Sequence, residues 1–195
     1  DSMTGHLAKC AYYLQNGSMN RMQGTTWTID FYPNSLPTLQ LFFYHLFGEM
    51  GFKFIHFLSY WIVLVASYKI SLHICQSKKA AIFILFITSL LPTALIQATT
   101  TETDIVFSAY LCILIVYLLK FLKKPSIFYL SFIGLITTVW ISHKVTFILA
   151  GPSIAVLVLF VLWKRRAFFN VKNIGVALLV FALGFGVFVL PAGYV

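Results

Sequence analysis

Charge is scarce in this chain. Asp, Glu, Lys and Arg supply 10% of its residues, against about 25% in an average soluble domain, which excludes an ordinary water-exposed globular surface. Cysteine is also sparse: Cys10, Cys75 and Cys112 are scattered, with no C-x-x-C and no His at zinc spacing, so neither a disulfide framework nor a zinc site is expected. No basic-then-apolar signal segment precedes the first polar stretch. There is no internal repeat and no low-complexity tract, which removes solenoid and linker architectures. The formal net charge of +9 does not indicate nucleic acid, because the Lys and Arg residues fall between apolar runs instead of clustering on a polar domain.

What abounds is apolar. Hydrophobic residues make up 60% of the chain and its mean hydropathy is +0.90. A spanning helix needs about 20 mostly apolar residues, and six stretches approach that length: Phe52 to Cys75, Ala80 to Ala98, Asp104 to Leu122, Ser126 to Ser142, Val145 to Trp163 and Val171 to Leu190. The predicted fold class is therefore all-α, a polytopic transmembrane helix bundle. Residues 1–195 form one domain, with 1–51 as a large first loop and about 52–190 as the six spans. Within the loop, AKCAYYLQNG and LPTLQLFFYHLFG have the spacing and aromatic bulk of short interfacial helices, ended by Gly17 and Gly48. Pro92 and Pro152 are expected to kink the spans that contain them. The four Trp residues, Trp27, Trp61, Trp140 and Trp163, read as interface anchors. The opening Asp1 and the closing PAGYV suggest an N-terminal-half fragment lacking one upstream span.

Positive charge near helix ends stays cytoplasmic. Lys78 and Lys79, then Lys120, Lys123 and Lys124, then Lys164, Arg165, Arg166 and Lys172, occupy every second turn. The other connections, the first loop included, are then extracytoplasmic, and all five acids lie in them: Asp1, Asp30, Glu49, Glu102 and Asp104. The expected location is a cell membrane, crossed several times, with the chemistry facing away from the cytoplasm.

Ionisable groups at or within a membrane boundary are costly to desolvate, so each is a candidate for function. Asp1 opens DSMTGHLAK with His6 and Lys9 close behind, although Asp followed by Ser can also simply cap a helix. TTTETD at Thr99 to Asp104 can be a T-x-x-D capping box formed by Thr101 and Asp104. Capping leaves Glu102 and the run of Thr unexplained, and a pair of carboxylates can orient sugar hydroxyls or hold a divalent cation. His143 and Lys144, in VWISHKVTF, place a cation at the extracytoplasmic end, where it can either snorkel to headgroups or meet an anionic phosphate.

DSMTGHLAKCAYYLQNGS, FYPNSLPTLQLFFYHLFG and LLPTALIQATTTETDIVFSAYL together resemble the protein-mannosyltransferase-like membrane glycosyltransferases, the family 39 type of the C-type polytopic superfamily. The resemblance implies that Asp1 is the catalytic carboxylate and that Glu102, Asp104 and Lys144 are substrate-binding residues, with His6, Lys9 and His143 in support. It implies transfer of a sugar, with inversion, from a polyprenyl-phosphate donor to a glycan, lipid or protein acceptor, among membrane lipids and with no nucleic acid. Two positions depart from the pattern: Gly5, where relatives carry an aromatic, and Lys9, where Arg is usual and would add a bidentate fork. The competing class is a transporter or flippase of a lipid-linked or small polar substrate, for which the same charges would mark a path.

Overall fold

The computed structural model describes residues 6–19, 33–143 and 147–189. Among them every regular element is helical: α1 (His6–Asn16), α2 (Ser35–Phe47), α3 (Gly51–Cys75), α4 (Lys78–Ser89), α5 (Pro92–Thr99), α6 (Asp104–Lys123), α7 (Ile127–His143), α8 (Phe147–Lys164) and α9 (Val171–Gly184). Short 3-10 turns at Gly48–Met50 and Arg166–Phe168 join two of the pairs, and a π turn, Phe185–Val189, extends α9. This is the all-α polytopic membrane bundle expected from composition. Its outer faces are unusually apolar, with Leu149 82% and Val171 89% exposed, as hydrocarbon surroundings require and water would penalise.

From α3 onward the segments run alternately up and down, α4 and α5 together counting as one. Glu49 precedes α3 and Asp104 opens α6, while Lys69 and His73 end α3 and Lys120 and Lys123 end α6. The parallel pair α3 and α6 therefore shares an acidic end and a basic end. At the basic end the turns are tight: Gln76 adopts a left-handed conformation (φ 52°) and donates to Leu72 O at 3.1 Å. Ser77 then caps α4, its hydroxyl accepting from Ala80 N. Arg165 donates Nε to Leu122 O at 2.7 Å, and its Nη2 reaches the same carbonyl. This basic group thus satisfies one carbonyl that a helix C-terminus leaves open, tying the end of α8 to α6.

Lipid tails offer no hydrophobic gain on helix pairing, so close packing has to hold the helices together. Phe107 stacks on Trp140 at 5.1 Å and Tyr117 on Phe132 at 4.4 Å, joining α6 to α7. Leu114, Leu118, Phe121, Leu130, Ile133 and Val161 fill the core toward the basic end. Trp140 is only 2% exposed, so it is a core residue and not the interface anchor expected of it. Trp61 and Trp163 are exposed, and Trp27 lies outside the described residues.

Three details differ from the sequence reading. The second apolar stretch does not kink at Pro92 but breaks: α4 stops at Ser89, Pro92 starts α5, and the two segments meet at 59°. The missing proline N–H costs nothing in a first helical turn, so a fresh start is the cheaper solution. Pro152 lies inside α8, as expected. Next, Thr101 and Asp104 form no capping box, because the N-cap of α6 is Thr103, which makes no side-chain cap bond. Finally, α2, the 3-10 turn and α3 join in one helical run, Ser35–Cys75, which is not straight. Phe43 and Phe47 both lie 5.1 Å from Phe54, and Leu36 packs with Tyr60 and Leu64, so the chain doubles back at Gly48 (φ 61°). By length, the Ser35–Cys75 run that contains α3 can cross a membrane, as can α6 and α9 with its π turn (Val171–Phe188), α4 with α5 forms one broken span, and α7 and α8 are shorter apolar helices.

Candidate active site at the acidic end

The helix α1 buries His6, Lys9, Cys10 and Tyr13, an i, i+3, i+4, i+7 stripe that carries two ionisable side chains inward. His6 is 3% and Lys9 4% exposed. Lys9 Nζ donates to Asn34 Oδ1 at 3.0 Å, and the Tyr13 hydroxyl donates to the same oxygen at 3.1 Å. Asn34 directly precedes α2, whose first residue, Ser35, donates Oγ to Ser142 O at 2.8 Å. His143 follows on α7, 1% exposed and edge-on to the Tyr110 ring at 5.3 Å. A series of contacts therefore runs by hydrogen bonds from α1 through the start of α2 to the end of α7, and from there by the His143–Tyr110 ring contact to the side of α6. It brings Lys9 and His143 to either side of the Asn34–Ser35 step, although 134 positions separate them in sequence (143 − 9).

Cys10 anchors α1 to α2. Fully buried, its Sγ lies 3.7 Å from Pro37 O and 3.6 Å from Gln40 Oε1. Burial pushes the thiol up from 9.0 to about 12, so the reactive thiolate is almost absent at neutral pH. Maleimide at pH 7.5 is expected to label Cys10 at least tenfold more slowly in the folded protein than after unfolding in SDS, read by peptide mass spectrometry; equal rates would contradict this docking. Because the folded pKa is the higher one, this contribution is present below pH 9 and is lost as pH rises from 9 toward 12.

The other side of α1 roofs a cleft of about 720 Å³, lined by Leu7, Ala11 and Leu14 above, by Tyr44, Glu49, Phe52 and Lys53 at the α2–α3 bend, and by Thr101. Glu49, which spacing alone could not rank, is thereby placed with Lys53 on a site wall. Thr101 and Thr103 are buried, whereas Glu102 and Asp104 are exposed beside them. The cleft is mainly apolar with a few charged groups at one end, as suits a substrate that is part lipid and part polar.

Of the residues singled out from sequence, His6, Lys9, Glu102, Asp104 and His143 all fall at this end of the bundle, and Asp1 and Lys144 lie outside the described residues. Among the described residues no three His, Cys, Asp or Glu side chains group as metal ligands. Sequence reasoning missed Asn34, Ser35, Gln40, His56 and Tyr110. His56 is fully buried in α3, with Nδ1 3.2 Å from Phe52 O and no hydrogen-bond partner for Nε2 among the described residues. Its one legible signal was a histidine inside an apolar run.

Comparison with known proteins identifies a family. No curated protein and no solved structure matches the chain. The family model for dolichyl-phosphate-mannose-protein mannosyltransferases matches residues 33–190, from the Pro33–Asn34 entrance of α2 through all the apolar helices. With a match over most of its length, a membrane bundle to carry it and a part-apolar cleft at one end, the chain belongs to the dolichyl-phosphate-mannose-protein mannosyltransferase family, a family of membrane glycosyltransferases.

Proposed function

We propose that this protein transfers a sugar from a polyprenyl-phosphate donor to an acceptor hydroxyl on the extracytoplasmic side of the membrane, with inversion at the anomeric carbon. The observation that carries the reading is the cleft at the acidic end, opposite the Lys- and Arg-rich turns that mark a cytoplasmic face. Asp1 takes the proton from the acceptor hydroxyl as its oxygen attacks the anomeric carbon. The bond from that carbon to the phosphate oxygen breaks, and the electron pair leaves with the lipid phosphate. Lys144 neutralises the charge that grows there, supported by His6, Lys9 and His143. The Lys9 ammonium donates to Asn34 Oδ1, which fixes its direction. Glu102 and Asp104 orient the acceptor hydroxyls and are the pair that would take a divalent cation. The apolar cleft wall excludes water, so that water does not replace the acceptor.

The test is transfer of labelled sugar, mannose first, by membranes bearing the full-length protein, with polyprenyl-phosphate and nucleotide donors compared. Transfer is expected from the lipid donor alone, and Glu102→Gln with Asp104→Asn is expected to lower it at least tenfold at equal expression. Transfer from the nucleotide donor, or none from either, would count against the proposal. The second outcome favours a transporter, for which the broken span of α4 and α5 is the supporting feature, since transporters bind at such interruptions.

A further inference from the structure

The basic end of the bundle contains a second recess, about 390 Å³, lined by Lys69, Leu72, His73 and Gln76 of the α3 end and Val116, Leu119, Lys120 and Lys123 of α6. It continues into an apolar slot of about 430 Å³ that shares Lys69, Val116 and Lys120 and extends past Trp61, Val65 and Phe132. Together they form one groove between α3, α6 and α7, cationic at the bundle end and apolar toward its middle. Trp61 and Val65 are each about half exposed, so the slot opens sideways toward hydrocarbon. Lys69 and Lys123 are exposed. Lys120 is half-buried, held with Nζ 4.7 Å from the Tyr117 ring centre and 5.9 Å from that of Tyr129.

Ordinary positive-inside anchoring accounts for lysines at these helix ends. It does not account for their convergence on a recess continuous with an apolar slot. Nor is there a protein counter-charge among the described residues, whose acids are Glu49, Glu102 and Asp104. Asp104 opens the helix whose last turn carries Lys120, and at 1.5 Å per residue it is about 24 Å away.

We propose that this groove binds an anionic phospholipid of the leaflet at the basic end, its phosphate between Lys69, Lys120 and Lys123 and an acyl chain in the slot beside Trp61. The site is separate from the acidic-end cleft and does not depend on the transfer reaction. Charge complementarity selects an anion, and the apolar continuation selects one with a tail, which a free phosphate lacks.

The probe is phosphatidylglycerol with brominated acyl chains, compared with brominated phosphatidylcholine at equal mole fraction, in vesicles holding the full-length protein. Tryptophan quenching is read, and Trp61→Phe isolates the signal of that residue. Each cation near an anionic headgroup contributes about fivefold, and two of the three lysines alone would give more than about tenfold, so half-quenching of Trp61 is expected at a mole fraction of the anionic lipid at least about tenfold lower. Lys69→Gln with Lys120→Gln is expected to erase the preference, and the paired Arg variants to keep it, with circular dichroism unchanged in both. Equal quenching by the two lipids would overturn the proposal. So would displacement of the lipid by inorganic phosphate, which would make this a plain anion site. Absence of Trp61 quenching by either lipid would also overturn it, since protein would then fill the slot.

Discussion

Asp1→Asn is expected to lower sugar transfer by on the order of a hundredfold or more, the usual scale for loss of a positioned general base. Asparagine keeps the size and hydrogen-bonding reach of the side chain but cannot take the acceptor proton. The loss should therefore fall on kcat and leave the apparent affinity for the lipid donor nearly unchanged, because the phosphate is assigned to Lys144 and its neighbours. The measurement is single-turnover transfer at saturating donor, with wild type and variant at equal expression. A helix cap would respond differently: asparagine caps about as well as aspartate, so a purely structural Asp1 predicts little change in either quantity. Activity within threefold of wild type would remove Asp1 from the chemistry and shift attention to Glu49, an acid that lines the cleft.

Gly51→Ala is expected to be the most damaging single-methyl change at the acidic end. A Cβ on Gly51 would sit 2.2 Å from Phe43 O, 2.3 Å from Phe43 C and 2.6 Å from Tyr44 N. These are backbone atoms, which no rotamer change can move aside. Gly51 has an ordinary helical backbone (φ −60°), so the requirement is for closeness and not for a left-handed turn. Overpacking costs typically 1–3 kcal/mol, and with backbone on both sides the upper figure, about 3 kcal/mol, applies. To relieve the clash α2 must move off α3, separating Tyr44 from Phe52, now stacked at 5.0 Å, and both line the cleft. Thermal unfolding in detergent should fall by several degrees, and transfer activity should fall with it. Gly175→Ala is the control, since a Cβ there meets nothing within 4 Å and alanine favours a helix interior by up to about 1 kcal/mol. If the two variants melt alike, the close approach of α2 to α3 is wrong.

The helices themselves were legible because each depends mainly on its own residues. Long apolar runs must satisfy their backbone groups internally in hydrocarbon, and Gly17 and Gly48, both at φ 61°, stop α1 and α2 where their position after an amphipathic run said they would. The alternation of basic turns was likewise legible, since charge placement is a property of each turn taken alone. The break at Leu90–Leu91 was half visible: Pro92 marked the place, but whether a proline bends a helix or begins a new one depends on what packs against each half. The T-x-x-D pattern at Thr101 was misleading because the helix begins at Asp104, with Thr103 as its N-cap, and local spacing does not record where tertiary packing starts a helix.

The candidate site was legible only in part, and the division follows from distance along the chain. His6, Lys9, Glu102, Asp104 and His143 are ionisable residues in or beside apolar surroundings, so the cost of desolvation alone singled them out. Asn34 and Ser35 carry no such cost. They read as a turn before a proline, and their importance arises only where α1 and α7 converge on them. Glu49 was one unranked loop acid until the doubling back at Gly48 set it against Thr101. The sequence by itself determined the solvent this protein lives in, its helical segments and the separation of acidic from basic ends, because composition and local periodicity carry all of these, and its motifs carried the resemblance to the family. Tertiary structure alone decided which helices touch, which face of α1 turns inward and where the two clefts open, because these depend on side chains brought together from distant positions, whose pairing leaves no mark in either local stretch.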